Sequence, residues 1–448
     1  TFMKARFFSF LVVFFFASLL LLGAPFFAEA APSSHSAAAS TRIQNSVLFA
    51  PKIDYTTDGA PYSVAIGDLN GDGNADLVVT NTGSNTVSVY LNKGNGTFAS
   101  KVDYTTGTDP VSAAIGDLNG DGKPDLVVAN FGSNTISVYL NKGNGTFAPK
   151  VDYITGTGPS SVAIGDLNGD GKLDLAVTNS GSNTVSVYLN KGDGTFAPKV
   201  DYTTSASPKA IAIGDLNGDG KLDLVVTNNY SNTVSVFINN GNGTFAPKVD
   251  YITGTDPQSI AIGDFNGDGK PDLAVVNSGN GIVFGTVSVF LNKGNGTFTQ
   301  QVTYPTGDYP TSIAIGDLNG DGKPDLVVIN ADPNTVSVLL NKGNGTFAPK
   351  VDYTTGTDPQ AIAIGDLNGD GKPDIAVTNT VSNTVSVLLN SSTFPSLSHS
   401  TNTGTLSSTT NASSTTAHSI FAHSIYIYVG GGILILLIIF FLTRFLFV

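Results

Sequence analysis

Asp117-Leu118-Asn119-Gly120-Asp121-Gly122-Lys123-Pro124-Asp125 sets oxygen-bearing side chains at positions 1, 3, 5 and 9 of one short stretch, with glycine at position 6. Carboxylates and an amide oxygen at that spacing, with a glycine to allow the sharp turn, are how a chain wraps a hard cation such as Ca²⁺. The pattern Asp-[Leu/Phe]-Asn-Gly-Asp-Gly-x-x-Asp begins seven times, at Asp68, Asp117, Asp166, Asp215, Asp264, Asp317 and Asp366. Copies are 49 residues apart, except for 53 between Asp264 and Asp317. A fixed period of this size is the signature of a repeat architecture.

Working outward from the third copy, Ser161–Gly165 reads as a strand of small and apolar residues leading into the loop Asp166–Asp174. Leu175–Thr178 reads as a second strand, and Thr184–Leu189 as a third with strict alternation. Asp193-Gly194, like Asn-Gly in most other copies, is hairpin-turn chemistry, because both positions accept positive φ. Phe196–Tyr202 follows as a fourth strand, and its proline, lacking a donor N–H, assigns it to a sheet edge. Four antiparallel strands per repeat, seven repeats and no helical periodicity predict an all-β fold, a seven-bladed β-propeller. The seventh repeat stops at Asn390 after its third strand, while Phe49–Tyr55 matches the fourth strand of the other copies. The N-terminal strand is therefore expected to complete the last blade.

The loop followed by Asp-Leu-Val-Val, with a Phe-containing fourth strand, resembles the FG-GAP (VCBS-type) repeat of integrin α-subunit propellers and microbial surface proteins. The likeness covers about three quarters of the chain. It implies that the calcium loop joins the first and second strands on one face and that ligands engage the opposite face. Integrin propellers carry the loop in only some blades, whereas all seven have it here, and no other integrin domain is evident. The resemblance thus bears on fold and calcium, not on integrin signalling.

Each loop offers side-chain ligands at positions 1, 3, 5 and 9, and up to seven Ca²⁺ ions are expected. The ligands are Asp68, Asn70, Asp72 and Asp76; Asp117, Asn119, Asp121 and Asp125; Asp166, Asn168, Asp170 and Asp174; Asp215, Asn217, Asp219 and Asp223; Asp264, Asn266, Asp268 and Asp272; Asp317, Asn319, Asp321 and Asp325; and Asp366, Asn368, Asp370 and Asp374. The carbonyl of position 7 and a water would complete each shell. Position 12 carries no closing glutamate, so an affinity on the order of 10⁻⁴–10⁻³ M, that of an extracellular module, is expected. The loops hold 21 of the 35 acidic residues, and the formal charge is −13, so the acidity reads as metal-site charge. An acidic balance also disfavours nucleic acid as a partner.

The chain contains no cysteine, so metal is the available staple. The ends read as addresses. Residues 1–30 are expected to be a signal peptide starting at Met3 and cut after Ala30, and 31–46 an Ala/Ser-rich lead-in. The propeller spans 47–390 and a Ser/Thr-rich stalk 391–419. Within 420–448, the uncharged run Ile425–Leu442 followed by Arg444 is expected to form one transmembrane helix, with a cleaved lipid-anchor signal as the alternative. An exported, single-pass cell-surface protein with the propeller outside results.

Catalysis lacks material. Within 47–390 there is no Cys, Glu, Arg, His, Trp or Met, and the remaining Asp, Lys and Tyr mostly recur in every blade. General acid–base and triad chemistry rely on the missing types, so the chain is not expected to be an enzyme. Without arginine, phosphate, sulfate and nucleic acid are disfavoured ligands. The recurring Tyr104, Tyr153, Tyr202, Tyr251 and Tyr353 are expected to pack blade on blade.

The blades differ from one another in two segments, the turn between second and third strands and the link to the next blade. Both fall on the face opposite the calcium loops. Phe131, Tyr230, Tyr62, Tyr309 and Lys209 break a small-polar pattern there, and the longer repeat inserts Gly281-Ile282-Val283-Phe284-Gly285. Aromatics on loops held by a rigid scaffold are the makings of an interaction surface. Phe284, Tyr309, Phe131, Tyr230, Tyr62 and Lys209 are the candidate ligand-binding residues, with Phe284 and Tyr309 foremost. The expectation is an adhesin-like protein binding a protein or glycan partner at the cell surface. The alternatives are a structural coat or spacer and, less favoured, a polysaccharide-active enzyme or a lectin. Asn-x-Ser/Thr at Asn95, Asn144, Asn229, Asn242, Asn295, Asn344, Asn390 and Asn411 offers glycan acceptors, although Asn-Gly-Thr is equally hairpin chemistry.

Overall fold

Blade 1 shows how the repeat folds. Pro61–Gly67 is the innermost strand, followed by Asp76–Asn81, Thr86–Tyr90 and the outer strand Val102–Thr105, each pairing antiparallel with the next. Every residue of Asp76–Asn81 is buried, because this strand lies between neighbouring blades on both faces. The computed structural model describes residues 47–393 and the backbone of Tyr426–Val429 and Gly432–Ile435. Blades 2 to 6 repeat the order over 110–154, 159–203, 208–252, 257–305 and 308–354, giving an all-β, seven-bladed propeller of four-stranded blades.

In blade 7 the strands Pro359–Gly365, Asp374–Asn379 and Thr384–Leu388 are followed in the sheet by Ile53–Thr56, with Ile53 opposite Val387. Asp54 accepts a hydrogen bond from Ser386 Oγ at 2.6 Å. The chain segments of this one blade are thus more than 300 residues apart in sequence.

Seven hydrophobic clusters each join two neighbouring blades. Ala65, Val78 and Val87 of blade 1 meet Ile115, Leu126 and Tyr139 of blade 2, and the series continues to Val64 and Leu77 against Ala376 and Val387 of blade 7. The recurring tyrosines serve this packing: Tyr104 meets Phe147 of the next blade edge-to-face at 5.3 Å, and Tyr202 meets Phe245 at 5.2 Å. In the fourth strand, Phe147 pairs as an isolated bridge with Asn141, and regular pairing resumes only at Val151, beyond Pro149. The same gap is present in blades 1 and 5, where Ser100 and Gln300 stand in place of the proline, so the break belongs to the course of the strand and not to the missing N–H.

The C-terminal stretch departs from the expected helix. Tyr426–Val429 and Gly432–Ile435 pair antiparallel, Val429 opposite Gly432. Aromatic and β-branched residues flanking glycines favour a hairpin over a helix, and hydropathy alone did not weigh this. Among the described residues no helix is long and apolar enough to cross a membrane. The signal peptide, the lead-in up to residue 46, nearly all of the stalk and the rest of 420–448 lie outside the described residues.

Candidate functional site: acidic loops and the linking face

In the loop of blade 1, the chain curls around the position-1 carboxylate. Asp68 Oδ1 accepts from the N–H of Gly71 at 2.8 Å and of Asp72 at 3.2 Å, and Oδ2 accepts from Gly73 at 2.8 Å. Asn70 Oδ1 accepts from Asp72 N, and Asp72 Oδ1 from Asn74 N. Gly71 and Gly73 have φ of 76° and 84°, the left-handed region that excludes most side chains. The same bonds recur in blade 2 around Asp117, Asn119 and Asp121 and in the other blades, with blade 6 bonding Asp317 through the N–H groups of Asp321 and Gly322.

Position 9 is different in kind. Asp76 is fully buried; its Oδ2 accepts from Leu69 N at 2.9 Å and its Oδ1 from Asn92 N at 2.7 Å. Asn92 Nδ2 in turn donates to Ala75 O and, at 2.8 Å, to Leu367 O in the loop of blade 7. Loop, turn and neighbouring loop are thereby stapled together. Burial pushes the Asp76 carboxyl up to about 6 despite the two N–H donors, with Asp72 and Asp68 adding to the rise, and pushes Asp325 to about 7. At position 5, by contrast, the Lys123 side chain holds the Asp121 carboxyl below its ordinary value.

The donors suit a hard cation: only carboxylate and amide oxygens, with lone pairs left on Asp68 and Asp72 after their N–H bonds are counted. Among the described residues, however, no three acidic side chains are already drawn together as a metal cage. Each loop is held by its own N–H groups. Blade 1 also differs from the rest at position 7, where Asn74 replaces the lysine. In the other six blades that lysine pairs with the position-5 aspartate, as Lys123 does with Asp121 at 3.0 Å.

The second candidate site is the opposite face, where the links between blades run. The residue before each innermost proline has positive φ: Ala60, Asp109, Gly158, Ser207, Asp256, Tyr309 and Asp358. In six links the side chain of an asparagine caps its N–H, as Asn85 does for Asp109 at 2.9 Å. At the link into blade 6, Gly285 stands in place of that asparagine, and a Cβ there would lie 2.5 Å from Gly307 O. A bulky tyrosine therefore sits at φ 50° where small residues or aspartate serve elsewhere.

The six sequence-selected residues fall into separate groups. Phe284 is 77% exposed and Tyr309 49%, and the Tyr309 hydroxyl lies 3.2 Å from where a Cβ on Gly281 would be, so insertion and link adjoin. Phe131 packs beside Gly158, and Tyr230 stands 82% exposed on blade 4. Tyr62 and Lys209 are half-buried and meet between blades 1 and 4: Lys209 Nζ donates to the Tyr62 hydroxyl at 3.2 Å and lies 5.7 Å from its ring centre. Ile282, Val381, Ile154 and Ile252 are exposed as well. Ile154 and Ile252 stand where four blades carry threonine, Val381 stands where blades 1 to 3 carry Gly83, Gly132 and Gly181, and Ile282 belongs to the insertion.

In the Asn-Gly-Thr turns, Asn95 Oδ1 accepts from both N and Oγ1 of Thr97, and Asp193 does the same for Thr195. That role requires the carbonyl oxygen and not the amide.

The profile of the FG-GAP-like repeat matches six times, over residues 68–128, 117–177, 166–226, 215–275, 264–328 and 317–377. No curated protein matches the chain in sequence. Among solved structures, BBS1N in complex with ARL6DN is similar at a TM-score of 0.57 and 14% identity, over 77% of this chain and 96% of that one. A lectin of Agrocybe aegerita recognising non-reducing terminal N-acetylglucosamine is similar at 0.49 and 20% identity, over 72% and 86%. At 14% identity the likeness to BBS1N speaks to the fold alone.

Proposed function

The chain belongs to the FG-GAP-like repeat family, and from that premise we propose that it is a calcium-stabilised surface propeller that binds a protein or glycan partner through its linking face. The observation that carries this reading is the contrast between the two faces. The loop face repeats one set of bonds blade after blade, while the linking face carries the exposed Phe131, Tyr230, Phe284 and Tyr309. Exposed aromatics on rigidly held loops supply binding area at small entropic cost. BBS1N is solved with a protein partner, which makes a protein the first partner to test.

Calcium would be held by positions 1, 3, 5 and 9 of each loop and would supply charge neutralisation to three nearby carboxylates. Its role in this reading is rigidity, not chemistry, since the carboxylates that burial raises, Asp76 and its counterparts, are already committed to main-chain N–H donors. We place the propeller outside the cell.

Two measurements test the proposal. Chelation is expected to lower the melting temperature substantially, and an unchanged curve in excess EDTA would remove calcium from the account. Cell-binding and glycan-array assays with Phe284→Ser/Tyr309→Ser should show binding falling by about tenfold or more, the size of a lost aromatic anchor. Undiminished binding would disprove the assignment of those residues.

A further inference from the structure

Blade 6 differs from its neighbours at the linking end of its first two strands. Its innermost strand, Asp308–Gly316, has 9 residues and its second strand, Asp325–Asp332, has 8, against 7 and 6 in blade 5. Asp308 lies there directly opposite Asp332, both exposed, at the positions where Gly83 bonds Gly59 in blade 1 and Gly132 bonds Thr108 in blade 2. Opposite residues of an antiparallel pair bring their side chains onto one sheet face with Cβ atoms roughly 5 Å apart, and like charges there are destabilising. Neither carboxylate is paired with a lysine among the described residues. Elsewhere the outer-strand aspartates are matched, as Asp103 is by Lys101 and Asp152 by Lys150.

Beside this acid pair lies the insertion of blade 5. Asn280 Oδ1 accepts from the N–H of Ile282 at 3.2 Å and of Val283 at 3.0 Å, which fixes the loop tip. Ile282 and Phe284 are then 87% and 77% exposed, with Gly281 against the Tyr309 hydroxyl. An ordered apolar surface thus borders two uncompensated carboxylates. A neutral glycan gains nothing from opposed like charges, and an anionic surface is repelled by them.

We propose that this corner of blades 5 and 6 docks a basic segment of a polypeptide partner. Apolar side chains of that segment lie on Ile282, Phe284 and Tyr309, and a lysine or arginine side chain bridges Asp308 and Asp332. The proposal rests on the linking-face reading and specifies the partner chemistry. Bridging by one cation would turn an unfavourable charge pair into a charge-assisted contact.

The test uses the full chain and short fluorescent peptides in which leucine alternates with lysine, glutamine or glutamate, read by anisotropy at low and high salt. The lysine peptide should bind about tenfold tighter than the glutamine peptide at low salt, and the preference should shrink at high salt. Asp308→Asn/Asp332→Asn should abolish the preference while leaving glutamine-peptide binding intact, and should raise the melting temperature slightly by removing the like-charge pair. Asp109→Asn/Asp358→Asn, elsewhere on the same face, should leave the preference unchanged. A preference that survives the first double variant, or falls equally in the second, would overturn the proposal in favour of diffuse acidity. Equal binding of lysine and glutamine peptides would overturn it too. If Phe284→Ser/Tyr309→Ser changed no peptide's affinity while the aspartate pair still governed the preference, the aromatic reading would fail and the charge reading would stand.

Discussion

Gly107, in the link from blade 1 to blade 2, donates its N–H to Asn130 Oδ1 at 3.0 Å, and a Cβ there would lie 2.3 Å from Ser133 Oγ and 2.7 Å from Asn130 Cγ. Gly156, Gly307 and Gly356 make the same bond to Asn179, Asn330 and Asn379. Where the link carries Asp58 or Ser205 instead, the buried Oδ1 of Asn81 or Asn228 has no partner. A buried acceptor left unsatisfied costs about 1–3 kcal/mol. Gly107→Ala should therefore destabilise the protein by roughly 2 kcal/mol through the lost bond and the crowding. Ser205→Gly should stabilise it by about 1 kcal/mol, although Ser205 gives up its exposed bonds to Lys248 and Asp250. Urea midpoints of the two variants, expected to move in opposite directions, check the argument. Equal and opposite behaviour is not required, since glycine also loosens the unfolded chain.

At the scale of the loop, one motif contains two kinds of aspartate. Asp72 is exposed and accepts from Asn74 N, whereas Asp76 is buried and satisfies two main-chain donors on different segments. Asp76→Ala would strand both donors, and should cost about 2–4 kcal/mol whether or not calcium is present. Asp72→Ala should be nearly neutral in EDTA and destabilising only with calcium. Thermal melts of both variants in each condition separate the roles, and identical patterns would contradict the division. The nine-residue spacing made the loop legible in the sequence, as the 49-residue period did the blades. The double duty of Asp76 was not legible, because Asn92 lies 16 residues away and meets it only through the fold. The same holds for the linking face. Sequence comparison of the blades found the variable residues, but whether Tyr62 meets Lys209 and Asp308 faces Asp332 depends on ring closure and on strand register. At the C-terminus the reading weighed hydropathy and passed over the β-branched and glycine composition that pairs Tyr426–Val429 with Gly432–Ile435.

For the whole molecule, the seam in blade 7 decides whether the ring unfolds as one body. The outer strand Ile53–Thr56 is bonded to Thr384–Leu388, and the segment 47–56 reaches both neighbouring blades: Tyr353 donates to Val47 O, Tyr90 donates to Thr56 O at 2.7 Å, and Tyr55 meets Phe98 at 5.2 Å. Tyr55 packs against the cluster that joins blades 7 and 1, and Val47 belongs to the cluster that joins blades 6 and 7, so losing the seam weakens two of the seven interfaces at once. A repeat array in which contacts run from neighbour to neighbour becomes less cooperative once it has free ends. Removing residues 47–56 should therefore do more than subtract one strand. It exposes the edge of Thr384–Leu388 and takes away the Tyr55–Phe98 and Tyr90–Thr56 contacts that join blade 1 to blade 7. The expected outcome is a broad or multistep melt replacing a single transition, with a large fall in midpoint. A synthetic peptide of residues 47–56 added in trans should restore the sharp transition in proportion to its concentration, because it binds only the closed ring. A truncated chain that melted in one sharp step at an undiminished temperature would show that the blade interfaces alone hold the circle.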